Sequence, residues 1–193
     1  MAKRGDKKRF MEFVKCVKQN PHRYFYIKST LIKLKEADVD INTQVYGGAT
    51  LLHVALKLNN LKLFKLFIKS GVNVNLANES GETPLHRAVL ENKMNFIKSL
   101  FNNEKCDLNM GAELEQTPLH LAVINGNLDI VKTLVDNGAE IMVLDEINNL
   151  PIDYAIDEKD INIIKYFLSK QDVNDTRLQK INKILEEAGE ANV

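Results

Sequence analysis

The sequence contains little cysteine and no long apolar segment. Its two cysteines, Cys16 and Cys106, are too few for a disulfide scaffold, and so low a number is typical of a reducing compartment. No run approaches the roughly 18 consecutive apolar residues that a membrane-spanning helix requires. The basic N-terminus is not followed by a continuous apolar segment, so we expect no signal peptide. These absences exclude a membrane-spanning protein, a small disulfide-rich secreted protein and a collagen-like protein.

Patterns of catalytic, nucleotide and metal sites are missing as well. The 193 residues contain no phosphate-binding loop of the G-x-x-x-x-G-K-[ST] type, no G-x-G-x-x-G, no H-E-x-x-H, no paired C-x-x-C and no EF-hand loop. Cys16 lies in a helical stripe of apolar residues, and no residue near Cys106 in the sequence supplies a base. We therefore predict a protein that is not an enzyme and that has no cofactor, no metal and no small-molecule substrate.

The charges of the two signs are separated along the chain, although 26 basic and 26 acidic residues give a formal net charge of zero. Residues 1–35 contain eleven Lys and Arg against two acidic residues, a balance of +9, which leaves −9 for residues 36–193. Such asymmetry bears on partners and association rates, not on the fold. It leaves two interpretations of the basic N-terminus open. Residues 3–9 are either a solubilising cap or a surface for nucleic acid, an acidic membrane surface or an acidic partner.

A short motif recurs at a nearly constant spacing. Its four copies are TLLHVA from Thr50, TPLHRA from Thr83, TPLHLA from Thr117 and a divergent LPIDYA from Leu150. The starts of the copies lie 33, 34 and 33 residues apart. A register kept over four copies indicates an array of structural repeats.

Each motif copy is followed by a segment with the period of a helix. These segments begin eleven residues after the start of the motif and have apolar residues at i, i+3 and i+6 or i+7. They read LKLFKLFI, MNFIKSLF, LDIVKTLV and INIIKYFL. Between the motif and this segment lie Asn59, Asn92 and Gly126 in the first three copies, which tolerate the left-handed conformation that ends a helix. Each unit is therefore predicted as a short helix, a tight turn, a longer helix and a loop.

The T-P-L-H-x-A motif at this period resembles the signature of the ankyrin-repeat family. The resemblance covers about residues 38–174 and, more loosely, the whole chain. It implies an all-α fold, an ankyrin-repeat solenoid of stacked helix-turn-helix units with short β-hairpin fingers. The implied domains are a degenerate N-terminal capping repeat at 1–44, ankyrin repeats at 45–77, 78–111 and 112–144, a degenerate ankyrin repeat at 145–174, and a C-terminal capping helix and tail at 175–193.

The motif histidines, His53, His86 and His120, are expected to have a structural role. Successive repeats place them about 10 Å apart, which is too far for one metal ion with bonds of about 2 Å. We expect the Thr and His of each motif to hydrogen-bond the turn and the backbone of the neighbouring loop instead.

Two units depart from the pattern. Glu115 stands where the first two units have Gly48 and Gly81, which makes the hairpin of the third unit less certain. Leu150 and Asp153 replace the Thr and His of the fourth copy, so we expect its turn to be the least ordered.

The resemblance also implies where a partner binds, because ankyrin repeats typically bind other proteins with their finger tips and the exposed side of their first helices. Carrying these positions over by register gives sixteen candidate partner-binding residues: Tyr46, Lys57, Leu58, Glu79, Glu82, Leu90, Glu91, Glu113, Leu114, Gln116, Ile124, Asn125, Glu146, Ile147, Asp157 and Glu158. From Glu79 onward this set contains seven acidic residues and no Lys or Arg, together with apolar residues that solubility does not require. We therefore expect a partner segment with basic and hydrophobic residues.

The sequence thus predicts a non-catalytic protein–protein interaction module. Lys outnumbers Arg 21 to 5 and Asn occurs 21 times, as expected of an AT-rich genome. Such genomes are common in intracellular bacteria and large viruses, whose ankyrin-repeat proteins are often directed at host proteins. One hypothesis is therefore a host-directed effector, cytoplasmic or delivered to the host cytosol. The alternative is a regulator that masks a transcription factor and whose basic N-terminus contacts nucleic acid.

Overall fold

A computed structural model describes residues 4–170 and 175–189. Lys3, the end of the predicted 145–174 repeat and the last four residues of the predicted tail lie outside the described residues. The described residues form α-helices in consecutive pairs, with one further helix at the C-terminal end. These helices are α1 (Arg4–Gln19), α2 (Tyr24–Glu36), α3 (Leu51–Lys57), α4 (Leu61–Lys69), α5 (Pro84–Leu90), α6 (Met94–Phe101), α7 (Pro118–Ile124), α8 (Leu128–Asp136), α9 (Pro151–Asp157), α10 (Ile161–Leu168) and α11 (Asp175–Glu187).

The chain divides into two compact units. The first comprises Met1–Ala88 and Lys93–Cys106, and the second comprises Val89–Asn92 and Asp107–Val193. Both units consist of helices and turns in the residues described, which confirms the predicted all-α repeat fold. The boundaries of the individual repeats stay a prediction.

The first unit has an apolar core formed by α1, α2, α3, α4 and α6. Phe10 of α1 and Ile27 of α2 are completely buried where these two helices pack together. The rings of Phe64 in α4 and Phe96 in α6 meet edge to face, with 5.0 Å between their centroids. Full burial of each such side chain contributes about 1.5–3 kcal/mol, so these contacts hold the helix pairs together.

In the second unit, α11 packs on the helix pair α9 and α10. α7 packs against α8 and α9, and α11 contacts both α9 and α10. Ile181 and Leu185 of α11 are completely buried, as are Ile163 and Phe167 of α10. The predicted capping helix therefore covers apolar side chains that the last repeat leaves open.

The turns between paired helices have the predicted left-handed residues. The φ angles are 50° at Asn59, 53° at Asn92 and 63° at Gly126, which confirms these three positions. The helices that follow begin at polar side chains in three cases. These caps are Asn60, Asn127 and Asp160, each accepting a hydrogen bond from the backbone N–H three residues later at 3.0–3.1 Å.

The predicted β-hairpin fingers are single turns, and no strand occurs among residues 4–170 and 175–189. Each finger is closed by one N–H···O=C bond of 2.9–3.0 Å between residues four apart, which provides no second pair for a strand ladder. The donor and acceptor residues are Val45 and Ala49, Asn78 and Glu82, Ala112 and Gln116, and Asp145 and Asn149.

The four fingers are of two kinds. In the second finger the side-chain amide oxygen of Asn78 accepts backbone N–H bonds within the turn. In the fourth finger the carboxylate of Asp145 does the same. The first and third fingers lack this side chain and have two consecutive residues with positive φ instead. In the third finger these residues are Leu114 (58°) and Glu115 (56°), where the first finger has two glycines.

Glu115→Gly is expected to raise the free energy of unfolding by about 1 kcal/mol. A left-handed conformation costs a non-glycine residue about 1–2 kcal/mol, and the extra entropy that Gly loses on folding offsets part of the gain. Urea denaturation measures the change. The matched control, Ser80→Gly, replaces an exposed finger residue that does not have positive φ, and we expect it to lower stability slightly. Equal effects of the two substitutions would contradict the strain at Glu115.

Candidate functional site

In the first and third copies, the motif histidine joins its own helix to the next finger. Nδ1 of His53 accepts a hydrogen bond from the Thr50 backbone N–H at 3.2 Å, and Nε2 lies 3.0 Å from the Glu82 carbonyl oxygen. His120 repeats this arrangement with its own threonine and, at 3.2 Å, with the Asn149 carbonyl oxygen. A ring that accepts at Nδ1 has its proton on Nε2, so Nε2 donates to the carbonyl. The predicted structural role of these two histidines is confirmed.

The environment of these rings keeps them neutral. Burial lowers the pKa of His53 and of His120 below the ordinary value of 6.5 and outweighs the opposing effect of the carbonyl hydrogen bond. His86 is completely buried, and its Nδ1 lies 3.2 Å from the Thr83 backbone nitrogen. His53 and His120 therefore act as neutral connectors between the helix start and the backbone of the next finger.

The stability of the protein is expected to fall as the pH decreases below 6.5. Because the pKa of His53 and of His120 is lower in the folded than in the unfolded state, the unfolded chain binds more protons below pH 6.5. Each ring then removes up to about 1.4 kcal/mol per pH unit until the pH passes its folded pKa. Urea denaturation between about pH 7.5 and 5.5 measures the slope. His120→Asn should reduce this slope, and a flat profile in the unsubstituted protein would contradict the neutral rings.

In the fourth copy a carboxylate takes the place of the histidine. Oδ2 of Asp153 accepts a hydrogen bond from the Leu150 backbone N–H at 2.8 Å, the contact that Nδ1 makes in the other copies. Both carboxylate oxygens also accept bonds of 2.6 Å from the Arg177 guanidinium of α11. Burial alone raises the pKa of Asp153, but these bonds and the Arg177 charge hold it below its ordinary value. Asp153 therefore supplies this turn with ordering contacts, and the expectation that it is the least ordered of the four turns stays a prediction.

The fourth finger contains a buried carboxylate that sequence reasoning missed. Asp145 is 5% exposed and accepts hydrogen bonds from the Ile147 and Asn149 N–H groups and from the Tyr154 hydroxyl. These bonds outweigh burial and hold the pKa of Asp145 below its ordinary value, while burial and Asp145 raise the pKa of Tyr154. The sequence contained an indication of this role. Asp145 and Asn78, which both accept backbone N–H bonds in their fingers, each lie five residues before the first residue of their motif copy.

In the first unit, the predicted partner-binding residues include two that lie on neighbouring fingers. Tyr46 is 91% exposed, and the backbone N–H of Glu79 on the next finger donates to the Gly47 carbonyl at 3.0 Å. This bond brings an exposed aromatic side chain and an exposed carboxylate to adjacent finger tips. Lys57 and Leu58 lie at the C-terminal end of α3, exposed and half-buried respectively.

The second unit brings together the largest group of predicted residues. At its finger tips the Glu146 N–H donates to the Leu114 carbonyl at 2.9 Å, and the side chains of Glu113, Leu114, Glu146 and Ile147 are all exposed. At its helix ends Asn125 donates to the Val89 carbonyl at 3.4 Å, and α7 packs against α9. The predicted residues at these helix ends are Leu90, which is half-buried, and the exposed Glu91, Ile124, Asn125, Asp157 and Glu158.

Two of the predicted finger residues have side chains that make contacts inside the protein. The Glu82 carboxylate accepts a hydrogen bond from Asn78 at 2.8 Å and pairs with Arg87 at 3.3 Å. The Gln116 amide donates to the Tyr154 hydroxyl at 3.0 Å, which connects it to the Asp145 network. Substituting either residue would disturb its finger directly, so neither is suited to a test of partner contact.

Two kinds of feature are not found in the described part of the chain. Across 4–170 and 175–189, no helix has both the length and the apolar content needed to cross a membrane. The same residues do not gather three His, Cys, Asp or Glu side chains into a group that could hold a metal ion.

Comparison with known proteins identifies similar repeats. A family model described as ankyrin repeats (3 copies) matches residues 24–112 and 94–177. Alpha-latrotoxin-Lhe1a of Latrodectus hesperus is 36% identical over 73 residues, 38% of this chain and 5% of the toxin. Stress-activated protein kinase alpha of Dictyostelium discoideum is 58% identical over 31 residues, 16% of this chain and 5% of the kinase.

The human Notch-regulated ankyrin repeat-containing protein is 29% identical over 79 residues, which are 41% of this chain and 69% of that protein. The chain therefore spans about one twentieth of the length of the toxin and of the kinase.

Proposed function

Because the chain belongs to the ankyrin-repeat family, whose repeats are general protein–protein interaction modules, we propose that it binds a basic and hydrophobic segment of another protein. The observation that carries this proposal is the pairing of exposed apolar and acidic side chains in the second unit. Leu114 and Ile147 are 47% and 58% exposed at the finger tips, next to the carboxylates of Glu113 and Glu146. Ile124, which is 41% exposed, lies at a helix end of the same unit.

The two kinds of side chain have different roles in the proposed contact. Burying the exposed part of Leu114, Ile124 and Ile147 under a partner contributes about 25 cal/mol for each Å² removed from water. The carboxylates attract a basic segment, raise the association rate and disfavour acidic segments. Lys159 is the exposed cation next to Glu158, and it is engaged with Glu187 at 2.8 Å. The acidic side chains therefore determine the charge that an approaching segment meets.

A labelled peptide tests the proposal. A short synthetic peptide of Lys, Leu and Ser is expected to bind the protein in fluorescence anisotropy, and its counterpart with Glu in place of Lys is not. Glu113→Lys combined with Glu146→Lys should weaken binding by at least about tenfold, since each reversal replaces an attraction by a repulsion. Raising the salt concentration from about 0.05 to 0.3 M should weaken it as well.

The matched control reverses two exposed carboxylates outside the proposed surface. Glu104→Lys combined with Glu140→Lys changes the net charge by the same amount and should leave the affinity nearly unchanged. Both variants should keep the helical circular dichroism of the unsubstituted protein. Equal weakening by the two variants would mean that net charge alone governs binding and would overturn the proposed surface. Absence of binding to the basic peptide would overturn the partner chemistry.

Two biological settings are proposed for this binding. A host-directed effector, acting in a host cytosol, is supported by the Lys- and Asn-rich composition. The alternative, a regulator that masks a transcription factor, is supported by the exposed cations Lys7, Lys8 and Arg9 on α1, which could contact phosphates. A gel shift with duplex DNA, with and without Lys7→Glu and Lys8→Glu, separates these functions. A shift that both substitutions abolish would favour the regulator.

A further inference from the structure

Helix α2 exposes apolar side chains on the face opposite to its buried one. Ile27, Leu31 and Leu34 face the core, whereas Phe25 is 81% exposed and Ile32 is 46% exposed. Phe25 and Ile32 are seven residues apart, so they lie on the same side of the helix. Neither side chain is buried in the core of its own unit.

Three helices of the first unit, α2, α4 and α6, are strongly basic. α2, α4 and α6 contain seven lysines, all exposed, and one acidic residue, Glu36 at the end of α2. The lysines are Lys28, Lys33, Lys35, Lys62, Lys65, Lys69 and Lys98. Exposed lysines usually alternate with acidic residues on a solvated helix face, and here they do not.

Contacts between α2 and α4 place these cations beside the exposed apolar pair. The Lys62 ammonium lies 4.4 Å from the centroid of the Tyr24 ring, and that ring meets Phe25 edge to face at 5.7 Å. At the other end of the helices the Lys35 ammonium donates to the Ser70 carbonyl at 2.8 Å. α2 and α4 therefore lie side by side in the same direction, and their exposed faces adjoin.

We propose that the exposed face of α2, α4 and α6 binds the surface of a bilayer that contains anionic lipids. Lysines are attracted to anionic headgroups, and each one near such a surface strengthens binding by about fivefold. Phe25 and Ile32 enter the boundary between headgroups and acyl chains, where apolar side chains flanked by cations are typical of surface-bound helices. Ile32 favours a bilayer over nucleic acid, since an aliphatic side chain has no ring to stack on a base. In this proposed contact, α2, α4 and α6 lie on the surface of the membrane.

The absence of tryptophan from the sequence makes a direct test possible. Phe25→Trp introduces a single tryptophan at an exposed position, and its emission reports whether the side chain leaves water. We expect the emission to shift to shorter wavelength with vesicles of phosphatidylcholine containing about 30% phosphatidylserine, and not with phosphatidylcholine alone. Leu144→Trp, at a position 51% exposed in the second unit, should show no shift with either vesicle.

Co-sedimentation with the same vesicles tests the apolar pair without a fluorophore. Phe25→Ser combined with Ile32→Ser is expected to lower the partition coefficient between vesicles and water by about tenfold. The matched control, Met142→Ser combined with Leu144→Ser, removes two similarly exposed apolar side chains and should not change binding. Replacing Lys65 and Lys69 by Ala should lower binding by about 25-fold in total.

Three outcomes would overturn the proposal. One is a lack of binding to the anionic vesicles, and another is equal loss with the serine pair and with its control. The third is binding to duplex DNA at the same salt concentration without any vesicle-induced emission shift, which would assign this face to nucleic acid. Circular dichroism of each variant verifies that the helices are retained.

Discussion

Arg177→Ala is expected to lower the free energy of unfolding by about 2–3 kcal/mol. The substitution removes two bonds of 2.6 Å from the Asp153 carboxylate, in a pair whose side chains are 21% and 18% exposed. Asp153 would then remain largely buried without its main counter-charge, and the loss exceeds that of a surface ion pair because little water reaches the carboxylate. Urea denaturation followed by circular dichroism measures the change.

Restoring the motif residues of the other copies provides a rescue experiment for Arg177→Ala. Leu150→Thr combined with Asp153→His restores the motif of the other copies and replaces the carboxylate by a ring that is neutral when buried. In that background Arg177→Ala should lower the free energy of unfolding by less than 1 kcal/mol, since no buried carboxylate is left without a counter-charge. Arg177→Lys in the original background should recover only part of the stability, because an ammonium cannot pair with both oxygens in the same way. Equal costs of Arg177→Ala in the two backgrounds would show that Arg177 acts through packing alone.

The helices of the repeats could be predicted from the sequence because they recur at the same spacing as the motif. A motif repeated at 33 and 34 residues locates the short helices, and the apolar runs locate the longer ones. The left-handed turn at Asn59, Asn92 and Gly126 follows from the same register. The roles of His53 and His120 follow from it as well, since each contacts backbone in its own and the next repeat.

The contacts that differ between copies could not be predicted in this way. Asp153 and Arg177 are 24 residues apart, and no periodic position relates a motif helix to the capping helix. The internal contacts of Glu82 were missed because register predicts that a side chain lies on a finger, not which neighbour it meets. Glu115 was expected to make its hairpin less certain, whereas the finger forms with Glu115 at a φ of 56°.

Asp145→Ala is also expected to have a large effect and to lower the free energy of unfolding by about 3 kcal/mol. The carboxylate accepts bonds from the Ile147 and Asn149 N–H groups and from the Tyr154 hydroxyl. Each donor left without an acceptor in a buried position costs about 1–3 kcal/mol. Because the pKa of Asp145 is held below its ordinary value, this stabilisation is present above about pH 4 and is lost as the pH falls through the folded pKa.

Asp145→Asn separates the hydrogen bonds from the charge. The amide oxygen can still accept from the two backbone N–H groups, so we expect this variant to lose about 1 kcal/mol and to stay folded at low pH better than Asp145→Ala. Tyr154→Phe should also cost about 1–2 kcal/mol, since it removes one donor and the partner of Gln116. A loss of less than 1 kcal/mol for Asp145→Ala would mean that water replaces the carboxylate.

The same substitution links the buried network to the proposed function. Asp145 is 5% exposed and cannot touch a partner, but it fixes the turn that presents Glu146 and Ile147. If those side chains bind the basic peptide, Asp145→Ala should weaken peptide binding by several-fold even where the protein remains folded, and Asp145→Asn should weaken it less. Glu146→Gln leaves the turn intact and removes one carboxylate, so it should change the salt dependence of binding, whereas Asp145→Ala should not. Identical salt dependence in Glu146→Gln and the unsubstituted protein would remove Glu146 from the binding surface, while the stability effects of Asp145 would stand independently.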